Sequence, residues 1–247
     1  EVANQVLASW GCNDSLPTLP EFVDLTVLRE MDDAVLANLT QMTKLEIARR
    51  RENGHHSYVA WLKGVPTAYG WVATRSAHVG ELDLSFQLPS RHLYLWDFVT
   101  LTPWRGLGIY PHLLQQILKT EIINRDRFWI VRAPENQASG RGITKAGFQP
   151  VGKLSFLKHE RGVGLISNRS FNALEDALLL GVKILYPAMI HTVAPCWRCV
   201  LALKRSGSTS EPNVGQGSVD AVGVRTRQLA RFCSGQSNYY KFRNGHE

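Results

Sequence analysis

Arg105-Gly106-Leu107-Gly108-Ile109-Tyr110 places two glycines two apart, behind an arginine and ahead of an apolar helical pattern. Glycine lets a backbone come close to a ligand. The first amides of a helix lack intrahelical acceptors and carry the positive end of its dipole. Arg105 adds a fixed charge on a planar fork of donors. Together these form an anion site suited to a pyrophosphate, against the simpler reading of a tight turn. The run is not a P-loop, which ends in Gly-Lys-Ser/Thr, and it lacks the third glycine of the dinucleotide fingerprint. Downstream, Asn136, Ser139, Lys145, Gly147 and Phe148 recur around a second helix and its following strand.

Several elements must position these residues. His92 to Thr100 is aromatic and β-branched, the pattern of a central strand that runs into the glycine turn. Leu113, Leu114, Ile117 and Leu118 share one face of the helix that leaves it. Phe128 to Val131 is a short buried strand. Pro134-Glu135-Asn136 opens a helix that stops at Gly147, and Phe148 to Leu157 is a strand. Upstream, Phe22 to Leu28 reads as a strand, and helices follow after Asp32-Asp33 and from Lys44 to Glu52. Ser57 to Leu62 and Thr67 to Thr74 form a hairpin about the turn Lys63-Gly64-Val65-Pro66. Glu81 to Phe86 alternates with period two, so a strand is expected with Glu81 and Asp83 on one face. The order predicts an α/β (α+β) layer fold with a mixed, mostly antiparallel central sheet flanked by helices.

Two stretches resemble the GNAT superfamily of acyl-CoA-dependent N-acetyltransferases. Asp97 to Leu114 is similar to the family's strand, Arg-Gly-x-Gly-x loop and helix. Pro134 to Phe148 is similar to its Asn-x-x-Ser…Lys-x-Gly-Phe helix and turn. The resemblance spans about residues 22–157. It implies an acetyl-CoA or other acyl-CoA cofactor whose pyrophosphate lies on the amides of Arg105, Gly106, Leu107, Gly108, Ile109 and Tyr110. It also implies main-chain contacts from Phe98, Val99 and Leu101 to the pantetheine arm, with Asn136 and Ser139 near the thiol. The chain departs from the family at Ile143, where many members carry the tyrosine that protonates the leaving thiolate.

Acyl transfer to an amine needs a neutral nucleophile, a polarised carbonyl and a departing thiolate. Asp97, flanked by Trp96, Phe98 and Val99, is the first candidate for the base. Tyr110 and Tyr94 are candidates to replace the missing acid, and His92 is a second candidate base. Each competes with an ordinary packing or solvated role. Glu81 and Asp83 are candidates to bind a cationic acceptor, against a solvated face. No serine or cysteine nucleophile signature accompanies the motifs, so direct attack in a ternary complex is expected.

Composition narrows the rest. The chain has 247 residues, 44% apolar and 20% charged, which excludes a disordered, collagen-like or coiled-coil protein. No run is long and apolar enough to span a bilayer, and no secretory leader pattern opens the sequence, so no membrane partner is expected. Four cysteines do not make a disulfide scaffold, and a cytoplasmic setting is expected. The net charge of +7 divides into +2 over residues 1–158 and +5 over 159–247. Three segments are therefore expected: a lead-in (1–20), an acetyltransferase domain (21–158), and a basic C-terminal extension (159–247), helical over Ser170 to Leu180 and then flexible. In the extension, Cys196 and Cys199 form a CxxC that could join His191 and Cys233 in a zinc site. The matching second pair is missing, so unpaired thiols are the preferred reading and no metal is expected. Arginines and aromatics near the C-terminus lie in no recognised nucleic-acid module, so nucleic acid is not an expected partner. The expected acceptor is an amine-bearing small molecule or protein. The alternatives are a non-catalytic acyl-CoA-binding or partner-binding module, and a carrier-protein thiol as acceptor.

Overall fold

A computed structural model of the chain describes residues 4–157, 162–167 and 171–185. The strands are β1 (Asn4–Gly11), β2 (Leu25–Arg29), β3 (His55–Leu62), β4 (Val65–Ala73), β5 (Ser76–Val79), β6 (Leu84–Gln87), β7 (His92–Thr100), β8 (Arg127–Arg132), β9 (Gln149–Leu157), β10 (Gly162–Ile166) and β11 (Lys183–Leu185). The helices are α1 (Asp33–Thr40), α2 (Lys44–Glu52), α3 (Ile109–Glu121), α4 (Gln137–Lys145) and α5 (Phe171–Leu180). Nine strands form one mixed sheet in the order β11-β10-β9-β1-β8-β7-β4-β3-β2, and β5 pairs with β6 apart from it. Among the described residues, only β7–β8 and β10–β11 pair in parallel. The expected mostly antiparallel α/β sheet is therefore the observed one.

The sheet is buried on both faces, and strand alternation divides its side chains between them. Phe128 and Ile130 of β8 join Trp10, Leu113, Leu114, Ile117 and Leu118 beneath α3. Trp129, between them in sequence, joins Leu7, Leu154, Leu165 and the Ala173–Ala177–Leu180 stripe of α5 on the opposite face. A third cluster seats Leu36 of α1 and Ile47 of α2 on Val59, Tyr69 and Trp71. Local chemistry sets the limits of these two helices. Asp32 Oδ1 accepts from Ala34 N at 2.7 Å. Thr43 and Glu46 close a capping box, with Thr43 N donating to Glu46 at 2.8 Å and Glu46 N donating to Thr43 at 3.2 Å. The β3–β4 turn puts Lys63 and Gly64 at φ 51° and 76°, the two positive values of a type I′ hairpin.

Three expectations change. Residues 1–20 are not a separate lead-in, because β1 sits in the sheet between β8 and β9. Nor does the sheet end at residue 158: β10 pairs with β9, β11 pairs with β10, and α5 covers them. α5 is also tied to the core by charge. Asp176 is fully buried, with Arg127 Nη1 at 2.6 Å and Trp129 Nε1 at 3.0 Å. Finally, Glu81 to Phe86 is not one strand. Gly80–Leu82 is a 3₁₀ turn and Asp83 adopts φ 46°, so β6 starts only at Leu84. Leu82 enters the core from that turn, which mimics strand alternation in the sequence. Among the described residues, no helix is long and apolar enough to cross a membrane.

Candidate functional site

The site begins where two parallel strands separate. β7 and β8 pair from His92/Arg127 to Leu95/Ile130, and each then continues without the other, β7 along β4 to Thr100 and β8 along β1 to Arg132. A bulge helps to turn β7 away. Trp71 of β4 lies opposite Trp96, but Tyr69 lies opposite Val99, so β7 carries one extra residue between these pairs. Asp97 sits there at φ 52°. Bulges increase strand twist and re-aim side chains. Gly70 is required across from it, because a Cβ there would stand 2.0 Å from the Phe98 ring.

The parted strands open a cleft of 1500 Å³, lined along β7 by Trp96, Asp97, Phe98, Val99 and Thr100. That exceeds the ~300–1,000 Å³ of usual small-ligand pockets and suits an extended ligand. One wall is the glycine turn. After the 3₁₀ turn Thr102–Trp104, Gly106 and Gly108 adopt φ 81° and 86°. A Cβ on either would meet no atom within 4 Å. Glycine is therefore demanded by the backbone conformation rather than by packing. The amides of Ile109 and Tyr110 open α3, where no intrahelical acceptor is available. Pro111 follows and has no amide to satisfy. Arg105 is partly engaged, since its Nε donates to Thr100 O at 3.0 Å and its amide to Thr102 O at 3.4 Å.

The second wall is α4. Asn136 caps it, Oδ1 accepting from Ser139 N at 3.0 Å. Gly140 and Gly142 each weaken a helix by about 1 kcal/mol relative to alanine. Here they make room. A Cβ at Gly140 would lie 2.7 Å from Arg132 Nε, and one at Gly142 would lie 2.4 Å from Tyr110 Cδ1. Tyr110 thus reaches from α3 across the gap, its hydroxyl 3.4 Å from Ser139 Oγ and its ring tilted on Phe98. Burial pushes its phenol up to about 12, and Ser139 and Arg132 oppose the shift. The hydroxyl keeps its proton at neutral pH and can donate it. Ile143 faces the core and not the cleft. Arg132 Nη1 donates to the carbonyls of Ala133 and Pro134 at 2.9 and 3.1 Å, bracing the loop into α4.

The opposite wall carries Asp97. Its carboxylate does not stand isolated among apolar groups, as expected from its neighbours. Arg50 Nη1 lies 2.5 Å from Asp97 Oδ2. The Arg50 guanidinium stacks 4.9 and 4.4 Å from the Trp71 and Trp96 rings. Gln5, His78 and Glu81 also line the cleft.

The fold brings Glu81, Asp97, Phe98, Val99, Arg105, Gly106, Gly108, Ile109, Tyr110, Asn136 and Ser139 to one cleft. Others fall away from it. Leu101 donates its amide to Thr67 O at 2.9 Å, so β4 already takes that group. Leu107 points its side chain to solvent, half exposed at 52%. Asp83 does not line the cleft, because its positive φ ends the strand face it was expected to share with Glu81. His92 lies at the opposite end of β7, edge-on to Trp129, where burial pushes it down. Tyr94 lines the cleft but is buried edge-on to Phe86, and burial drives its phenol up. Sequence reasoning missed Arg50, Arg132 and Arg141, and named Lys145 only as part of a motif; all four line the cleft. Arg141 and Lys145 are four apart on α4, a spacing that could have marked them as one face. His191, Cys196, Cys199 and Cys233 lie outside the described residues. Among the described residues, no group of three or more His, Cys, Asp or Glu could hold a metal ion.

No protein-family model and no curated protein matches the chain. Solved structures do align with it. A GCN5-related N-acetyltransferase from Sphaerobacter thermophilus is 12% identical, over 62% of this chain and 50% of that one, at a TM-score of 0.48. A GNAT-family acetyltransferase from Colwellia psychrerythraea is 18% identical, over 60% and 53%, at 0.42. AAC(6′)-Ib in complex with Parmomycin and AcetylCoA is 16% identical, over 57% and 89%, at 0.45. The chain spans about half the length of the first two.

Proposed function

We propose that the protein is a GNAT-type acyltransferase that moves an acetyl or related acyl group from acyl-CoA to an amine, by direct attack in a ternary complex. One observation carries this reading: β7 and β8 part beyond Leu95/Ile130, and β7 leads through the Thr102–Trp104 turn to Gly106–Gly108 and the start of α3. An extended slot thereby ends on unpaired helix amides, which favour an anion. The amides of Gly106 to Tyr110, with Arg105, hold the pyrophosphate. Phe98, Val99 and Asn136 flank the arm between it and the reacting end. Arg141 and Lys145 add positive charge on the same wall.

Acyl-CoA supplies the acyl group activated as a thioester. Asp97 takes a proton from the acceptor ammonium and leaves a nitrogen able to form the new N–C bond. Tyr110 gives its proton to sulfur as the C–S bond breaks, and Ser139 orients that hydroxyl. The second proton shed by nitrogen restores Tyr110 through solvent, so one proton is released overall. Tyr110 favours this reading over a non-catalytic binding module, because it supplies from α3 the donor that Ile143 cannot.

Incubation with acetyl-CoA and a panel of amines, followed by assay of free thiol, tests the proposal. Thermal stabilisation by CoA and amine-dependent thiol release are expected. Stabilisation without thiol release on any acceptor would support the binding module, and no stabilisation would remove the CoA assignment. Acetyl trapped on the protein in the absence of acceptor would exclude direct attack.

A further inference from the structure

The acceptor side of the cleft holds an unusual pair of charges. Trp71 and Trp96 lie directly opposite each other on β4 and β7, so their indoles stand side by side on one face. The Arg50 guanidinium rests on both, at 4.9 and 4.4 Å. Cation–π contact with two rings restrains the guanidinium. Arg50 spends Nη1 on Asp97 Oδ2. Among the described residues, Nε and Nη2 of Arg50 and Oδ1 of Asp97 have no hydrogen-bond partner. Both side chains remain partly open, at 24% and 31% exposure, and both line the cleft. Asp97 is also fixed from behind, because its positive φ belongs to the bulge against Gly70.

We propose that the acceptor is a zwitterion, with an amine and a carboxylate as close together as in an α-amino acid. Asp97 Oδ1 takes the ammonium and the free edge of Arg50 takes the carboxylate. This rests on the acyl-transfer reading above and names the acceptor class of the same site. A planar guanidinium edge matches a carboxylate in two-point geometry. The two charges already touch, so the groups they recognise must sit a few bonds apart on one ligand. A polycation would find Glu81 as the only other carboxylate on the cleft wall among the described residues. It would also have to approach Arg50. A simple amine without a carboxylate would leave the free edge of Arg50 unused.

The test compares L-amino acids with their carboxamides and their decarboxylated amines, using acetyl-CoA and free-thiol assay. The expected result is a kcat/KM about ten- to a hundredfold higher for the free acid, the scale of charge-assisted hydrogen bonds. Calorimetry on the CoA-loaded protein should show binding of the free acid and not of its carboxamide, independent of turnover. Arg50→Met should erase the preference. Arg50→Lys should keep part of it, having charge without the planar fork. CoA affinity of each variant checks that it is folded, and if Arg50→Met fails that check, Arg50→Lys and the wild-type preference decide. Thiol release that is equal across acid, amide and amine would overturn the zwitterion proposal and leave acyl transfer standing. Failure to bind CoA, or no thiol release with any amine, would overturn both.

Discussion

The two sides of the cleft are built in different ways. The α3–α4 side is made of backbone: helix-start amides, two glycines at positive φ, and two more that clear space for Arg132 and Tyr110. The acceptor side is made of side chains from separate elements, with Arg50 from α2 and Asp97 from β7 meeting across 47 positions of sequence. A backbone site needs particular residues at fixed spacing, while a side-chain cluster needs only an approach in space. Substitutions that change backbone freedom should therefore damage the first wall, and truncation or titration of side chains should damage the second.

Tyr110 stands between them and tests the contrast most severely. Tyr110→Phe should lower kcat about a hundredfold, at the lower end of general acid catalysis because a thiolate leaves readily. CoA affinity should change little, and a matching rise in KM alone would assign the hydroxyl to binding. Gly70→Ala comes next. It presses a methyl group into the Phe98 ring, and denaturant unfolding should show a loss of about 1–3 kcal/mol. Unchanged stability would mean that the bulge accommodates both side chains. Gly108→Ala meets no atom but must hold positive φ, at a cost of about 1–2 kcal/mol. The CoA dissociation constant should rise about tenfold. Leu107→Ala beside it, which removes an exposed side chain, serves as the contrast and should leave binding unaltered. The smallest effect concerns pH. Burial, with the nearby Arg50 charge, holds His55 down to about 4, edge-on to Trp96. A histidine lowered in the folded state contributes stability above its unfolded value near 6.5. That contribution is lost as pH falls from there toward 4. Allowing for its partial exposure, His55→Gln should remove about 1 kcal/mol of the acid sensitivity between those limits. Identical pH–stability curves for wild type and variant would exclude this linkage.

The same contrast explains what was legible beforehand. The limits of α2 and β7 could be read from the sequence, because α2 carries its capping box and β7 its continuous apolar run. The glycine turn was legible for the reason that made it a site. β1 was not: Leu7 to Trp10 is buried on both faces, so no alternation marks it. β10, α5 and β11 fell on the far side of a boundary drawn after the last clear strand, yet they complete one face of the core. Arg50 sits among Arg49 and Arg51 at the end of a helix, where basic residues suit the dipole. Nothing in that run distinguishes the arginine that turns toward two indoles.

The place of β1 has a consequence for how the protein comes into being. It is made long before its partners β8 and β9, with Ala8 opposite Ile130 and Pro150. At about 5–20 residues per second, roughly 6–25 s separate Ala8 from Ile130 on the ribosome. For that interval an apolar segment with unsatisfied edges must wait. The middle of the sheet cannot close until β8 and β9 have both been made.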